Sequence, residues 1–149
     1  TNPLLLAINY DYDLVGNRQS VQYSGEYETY TPNNLNQYSA VNQTAYTYDT
    51  NGNLAHDGTN TYQYNCDNQL TKVTSPQQSI KYEYDSIGRR ISKDIDGRKT
   101  KYSYAGSQVL CEYAVHDGTE ILLRKYIYGP GVDKPICMIN AHHQADLLI

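Results

Sequence analysis

Apolar and polar positions alternate along most of the chain with a period of two. In SIKYEY (Ser79 to Tyr84) isoleucine and two tyrosines take every second place, with lysine and glutamate between them. RRISKDI (Arg89 to Ile95) keeps up a similar alternation. Side chains at i and i+2 share one face of a strand, so such segments predict half-buried β-strands. No stretch carries a 3.6-residue apolar stripe between helix caps. The pattern predicts an all-β chain.

The alternation recurs in units. Aligned on a first tyrosine, the chain reads YDYDLVGN from Tyr10, YTYDTNGN from Tyr46 and YEYDSIGR from Tyr82. Looser copies start at Tyr30, Tyr62, Tyr102 and Tyr126, giving start-to-start spacings of 20, 16, 16, 20, 20 and 24 residues. Tyr10 and Tyr12, Tyr46 and Tyr48, and Tyr82 and Tyr84 each put two rings on one strand face. Behind each pair comes Asp-x-x-Gly: Asp13 to Gly16, Asp49 to Gly52 and Asp85 to Gly88. Aspartate opening a turn accepts from backbone N–H two residues on, and glycine at its end tolerates positive φ. Asp57-Gly58, Asp96-Gly97 and Asp117-Gly118 mark hairpin tips on the return path.

Strand, turn, strand and tip make an antiparallel meander of a dozen or more short strands, curved or spirally wound into an open sheet. All six spacings are multiples of four. Two added rungs, four residues, lengthen a hairpin without changing its tip geometry or its tyrosine face. Pairing Tyr62 with Asn53 centres a tip on Asp57-Gly58, and pairing Tyr126 with Val109 centres one on Asp117-Gly118. Pairing Tyr102 with Arg89 centres a third on Ile95-Asp96, which predicts a type I turn with a bulge at Gly97. Seven repeats cover residues 1–149 as one region, with no second domain.

Composition narrows the chemistry. The chain has 17 tyrosines but no phenylalanine or tryptophan, and its mean hydropathy is −0.70. A tyrosine buries its ring yet needs a partner for its hydroxyl, which suits a thin two-faced layer. Net charge is −4 with no basic run, which argues against nucleic acid as a partner. The longest apolar run, LLLAI from Leu4, is strand-sized, so membrane insertion is not expected. The sequence opens without a signal-peptide pattern.

Cys66, Cys111 and Cys137 are too widely spaced for a C-x2-C metal site and read as small thiols. His56 and His116 each precede an Asp-Gly tip, and nothing around them marks an oxyanion hole. His142, His143 and Asp146 read as a solvated loop. No phosphate-binding glycine loop occurs, and no cofactor is expected. Asp13, Asp49 and Asp85 fit turn acceptors better than acid/base or calcium groups, since none has a second acid beside it.

YTYDTNGN, YEYDSIGRR, NLNQY (Asn34 to Tyr38) and RKYIYGPG (Arg124 to Gly131) resemble the YD-repeat, or Rhs, family over essentially the whole chain. That resemblance implies a β-ribbon wound into a hollow shell, here a piece of wall near the shell's C-terminal end. In bacterial members such a shell encloses a toxin; in animal teneurins it belongs to an adhesion protein. The DPxGL-like motif of the self-cleaving region is absent from this sequence. The implied role is non-catalytic containment in a secreted or surface-delivered protein. The expected partners are other parts of the same polypeptide or its toxin cargo. The alternative is a carbohydrate- or cell-surface-binding module, with sugars stacking on Tyr82, Tyr84, Tyr102 and Tyr104. Open sheet edges also predict pairing between copies.

Overall fold

The structure is a computed structural model that describes residues 7–131 and 134–141, together with the backbone of 145–147. Residues grouped by contact form two units, Thr1–Thr61 and Tyr62–Ile149. In the first, β1 (Ile8–Tyr12), β2 (Arg18–Tyr23), β3 (Glu26–Pro32), β4 (Tyr38–Val41) and β5 (Thr44–Ala45) form one sheet in chain order. β6 (Thr47–Tyr48) then pairs with β7 (Leu54–His56).

The second unit continues with β8 (Thr61–Tyr64), β9 (Leu70–Thr74), β10 (Ser79–Tyr84), β11 (Arg90–Ile95) and β12 (Arg98–Ala105). It ends with β13 (Gln108–His116), β14 (Thr119–Tyr128), β15 (Pro135–Asn140) and β16 (Ala145–Leu147). Within each sheet neighbours in sequence are neighbours in space, with β5 ending the first sheet and β6 opening the second; each registered pair is antiparallel, and the described residues contain no helix. The chain is an all-β meander, as the alternation predicts.

The repeat carries a device that the alternation hides. Register slips by one residue between Asp11 and Tyr12, Thr31 and Pro32, Thr47 and Tyr48, Glu83 and Tyr84, Ser103 and Tyr104, and Ile127 and Tyr128. Every one of these bulges sits at the second position of the tyrosine pair, held by Pro32 in the Tyr30 repeat. Glu83 faces Ser92 while Tyr84 faces Arg90, so Ile91 is the extra residue on the return strand. A bulge of this kind bends the strand and disrupts its ladder locally.

Two of the expected tips are corrected as a result. Ile95 pairs with Arg98, so Asp96 and Gly97 are the tip, with φ of 51° and 86°. That is a two-residue turn with both centres left-handed, the mirror-image type I′, and not a type I turn with a bulge. His56 pairs with Thr61, and the Asp57 N–H donates to the Asn60 carbonyl at 3.2 Å. The tip is therefore Gly58-Thr59, one residue beyond the expected Asp57-Gly58.

Both shifts have one cause. Arg89 closes its turn and stays out of the ladder, and the bulge at Ile91 uses up one more residue. The Ser92–Lys101 pairing, carried one residue on, sets Tyr102 opposite Ile91, two places past Arg89. The third tip, Asp117-Gly118, falls where expected, with His116 opposite Thr119. There a further bulge between Glu112 and Tyr113 absorbs the difference, and Tyr126 comes opposite Leu110 instead of Val109.

The core is thin. Among the described residues only Val21, Ser20 and Ser92 are buried. The two serines hold equivalent places facing away from the tyrosines. The Ser20 hydroxyl donates to Asp11 at 2.8 Å and the Ser92 hydroxyl to Glu83 at 2.5 Å. The Lys99 ammonium completes that second cluster, 2.6 Å from Glu83.

Candidate functional site

Local hydrogen bonding folds five of the turns behind the tyrosines, those opening at Asp13, Asn33, Asp49, Asn65 and Asp85, into the same clip. The Asp85 N–H donates to the Arg89 carbonyl at 2.9 Å, and the Gly88 N–H to the Asp85 carbonyl at 3.0 Å. One Asp85 carboxylate oxygen accepts from the Ile87 and Arg89 N–H groups, and the other from Arg89 Nε at 2.7 Å. Asp13 with Asn17 and Asp49 with Asn53 repeat the arrangement. Asn33 with Gln37 and Asn65 with Gln69 do so with the outer bond reversed, because an asparagine amide donates to a glutamine oxygen.

Position i always gives one oxygen to the backbone. Its other atom then decides whether the residue at i+4 must donate or accept. The Asn17 side-chain bond leads the causes that hold Asp13 below its ordinary pKa, and Asn53 does the same for Asp49. At Asp85 burial pushes upward, but the backbone and side-chain bonds from Arg89 outweigh it and the pKa is lowered.

The clips are also joined to one another. Gln37 Nε2 donates to the Gly52 carbonyl at 3.1 Å, Gln69 Nε2 to Gly88 at 3.2 Å and Gln108 Nε2 to Gly131 at 3.3 Å. An Arg89 guanidinium nitrogen reaches the Gly106 carbonyl, and Asn17 Nδ2 reaches Asn36 Oδ1 at 3.1 Å. The last side chain of one turn thus reaches a residue within the next turn.

The tyrosine hydroxyls make a second set of joints. Tyr48 Oη donates to the Tyr38 carbonyl at 2.9 Å, Tyr84 to Leu70 at 2.8 Å, Tyr104 to Arg90 at 2.7 Å and Tyr128 to Val109 at 2.9 Å. Tyr38, Arg90 and Val109 are the residues that face Pro32, Tyr84 and Tyr104 across the bulges. Tyr48, Tyr104 and Tyr128 therefore each satisfy a carbonyl where the preceding repeat's ladder is broken. This explains the preference over phenylalanine, which has the ring but no donor.

The first tyrosines do something else. The Arg90 guanidinium lies over Tyr82 at 5.5 Å and over Tyr102 at 5.1 Å. Arg18, its counterpart, lies over Tyr10 at 6.0 Å and Tyr30 at 4.2 Å. Arg89 covers Tyr104 at 4.8 Å. A sugar stacking on the same ring faces of Tyr82, Tyr102 or Tyr104 would meet a guanidinium there. Tyr126 donates to Glu112 at 2.7 Å, and burial followed by that bond pushes its pKa up to about 12.

Tyr82, Tyr84, Tyr102 and Tyr104 share one face and are half-buried, as are Tyr46 and Tyr48. Tyr10 and Tyr12 stand 47% and 58% exposed on the edge strand β1. Cys66 is exposed, while Cys111 and Cys137 are half-buried, all three as free thiols. His56 Nδ1 accepts from the Gly58 N–H at 2.9 Å, and exposed His116 lies 3.4 Å from Asp117. Among the described residues no three His, Cys, Asp or Glu side chains converge on a metal-sized site. His142 and His143 lie outside the described residues, and Asp146 is described by its backbone alone. The sequence pattern did not single out the last residue of each turn, Asn17, Gln37, Gln69, Arg89 or Gln108, whose side chain makes the joint.

An antiparallel ribbon whose repeats are clipped one to the next, without a convergent reactive cluster among the described residues, defines a wall-forming β-repeat. The chain belongs to the family described as Teneurin YD-shell, which it matches over residues 5–133. It is 34% identical over 129 residues to the tRNA nuclease WapA of Bacillus subtilis strain 168, an alignment covering 82% of this chain and 6% of that protein. The tRNA(Glu)-specific nuclease WapA of Bacillus subtilis subsp. natto is 35% identical over 65% of this chain and 4% of its own length.

Two solved structures share the fold at 16% identity and a TM-score of 0.58. One is a chain of the Tc holotoxin pore of Photorhabdus luminescens, matched over 88% of this chain and 9% of that one. The other is a chain of the TcdB2–TccC3 crystal structure, matched over 95% of this chain and 9% of that one.

Proposed function

We propose that residues 1–149 form one stretch of non-catalytic wall in a large, externally delivered YD-repeat polypeptide, and that this wall encloses polypeptide cargo. The observation that carries the reading is the pair of repeating joints. Side chains at five turns, and the hydroxyls of Tyr48, Tyr84, Tyr104 and Tyr128, are committed to holding neighbouring repeats together. A binding or catalytic site would differ from one repeat to another, whereas here the same bonds recur. The histidines before the Gly58 and Gly118 tips are likewise engaged with their own tips. The relatives' names make a nuclease one class of cargo to test.

Limited proteolysis of the longest natural polypeptide containing this sequence tests the reading, with released segments followed by mass spectrometry. Enclosed cargo resists protease in the wild type and becomes cleavable when Tyr84→Phe, Tyr104→Phe and Tyr128→Phe are combined. Equal cleavage of the candidate cargo in both forms would sink the proposal.

A further inference from the structure

The tetrapeptide His-Asp-Gly-Thr occurs twice, as His56 to Thr59 and as His116 to Thr119, and the fold gives the two copies opposite surroundings. In the first copy the tip lies one residue along, and Asp57 is gripped. Its Oδ1 accepts from the Thr59 and Asn60 N–H groups at 2.9 and 2.6 Å, and its Oδ2 from Asn60 Nδ2 at 3.0 Å. The following nitrogen is engaged too, because the Gly58 N–H donates to His56 Nδ1 at 2.9 Å.

In the second copy Asp117 and Gly118 are themselves the tip, with φ of 48° and 77°. The Asp117 side chain is 91% exposed and accepts from no backbone N–H among the described residues. Its charged neighbour, His116 Nε2 at 3.4 Å, belongs to a side chain 81% exposed, so water screens the contact. The Gly118 N–H likewise has no acceptor among the described residues. Asp96-Gly97 separates the effect of the tip from that of the grip. Its backbone matches, with φ of 51° and 86°, yet Asp96 Oδ1 accepts from the Ser79 N–H at 2.8 Å. The Gly97 N–H donates to Asp94 Oδ1 at 2.7 Å. At Asn51-Gly52, the related amide pair, the Gly52 N–H is held on the Asp49 carbonyl at 3.1 Å.

We infer that Asp117-Gly118 is a site of spontaneous backbone modification, through a cyclic imide to isoaspartate, and that hydrogen bonding guards the other pairs. The Gly118 nitrogen attacks Cγ of the protonated Asp117 carboxyl, and glycine has no side chain to obstruct the approach. An N–Cγ bond forms and the amide proton passes to solvent. The Cγ–O bond breaks, and the hydroxyl leaves as water with a proton from solvent, so the chain loses one water. Water then opens the imide. Addition at Cγ restores aspartate, whereas addition at the α-carbonyl leaves the chain running through Cγ, one carbon longer, with a free α-carboxylate. Closure needs rotation about Asp117, which local opening beside the His116–Thr119 pair permits. At Asp57 and Asp96 the bonds to carboxylate and nitrogen must break first. A lengthened tip no longer fits a two-residue turn, so the change loosens the end of the β13–β14 hairpin.

The test is incubation of the full chain in warm, mildly acidic buffer made with heavy-oxygen water, followed by peptide mapping. Isoaspartate is identified by methyl transfer from S-adenosylmethionine with an isoaspartyl methyltransferase, and by uptake of heavy oxygen. The expected result is conversion at Asp117 about tenfold faster than at Asp57 or Asp96, the factor one retained hydrogen bond to a charged group supplies. In guanidinium chloride that unfolds the chain, the two His-Asp-Gly-Thr copies should react within about twofold of each other. Equal rates at the three sites of the folded chain overturn the inference. So does a preference for Asp117 that survives unfolding, or a folded chain that forms no isoaspartate at Asp117 while the unfolded chain does.

Discussion

At the scale of the residue, the two tyrosines of a repeat are not equivalent. They share a face, but only the second regularly spends its hydroxyl on a backbone carbonyl of the preceding repeat. The first offers its ring to a guanidinium or to a neighbouring aromatic, as Tyr30 does to Tyr38 at 5.1 Å between centroids. Removing an oxygen should therefore matter at one site and not at the other. Tyr84→Phe leaves the Leu70 carbonyl without its protein donor at a half-buried position. The expected cost is about 1 kcal/mol, toward the lower end if water reaches the carbonyl. Tyr82→Phe keeps the ring under Arg90 and should change stability by less than about 0.5 kcal/mol. Urea unfolding of the two variants beside the wild type separates them, and equal losses would refute the division of labour.

At the scale of the element, strands, faces and turn positions were readable because period two and Asp-x-x-Gly are local signals. Register was not, because this kind of bulge has no residue type of its own. Gln19, Ala55 and Ile91 occupy equivalent extra positions with nothing in common chemically. Each displaces the ladder and moves the tip, so Asp57-Gly58 looks like a hairpin centre and is not one. The tie between turn positions i and i+4 also stayed hidden, because Asp with Asn or Arg and Asn with Gln look unrelated until the direction of the bond is seen. That tie predicts a coupling. Asp85→Asn must keep its oxygen on the backbone N–H groups, which turns its amide toward the Arg89 donor. The single change is therefore unfavourable, and adding Arg89→Gln restores the pattern of Asn65 with Gln69. A double-mutant cycle should return about 0.5–1.5 kcal/mol of favourable coupling. Additive losses would mean the outer bond contributes nothing.

At the scale of the whole molecule, a chain whose strands pair in sequence order, and whose buried residues are so few, cannot draw stability from one shared core. Its stability should instead be a sum over repeats and their joints, as in repeat proteins whose units touch only their neighbours. The family's role asks for the same property, since a wall must tolerate local variation without collapsing elsewhere. Native-state hydrogen exchange tests this directly, because amides report the opening of the unit that contains them. Tyr104→Phe breaks the bond to the Arg90 carbonyl, which lies between β11 and β12. Protection should fall about fivefold for amides of β11, β12 and β13, in line with the loss of one hydrogen bond. Amides of β2 and β3 should be unchanged, and those of β1, paired on one side among the described residues, should exchange fastest in either protein. A uniform drop that reaches β2 and β3 would mean that the chain opens as a single cooperative body, and the sum over joints would have to be abandoned.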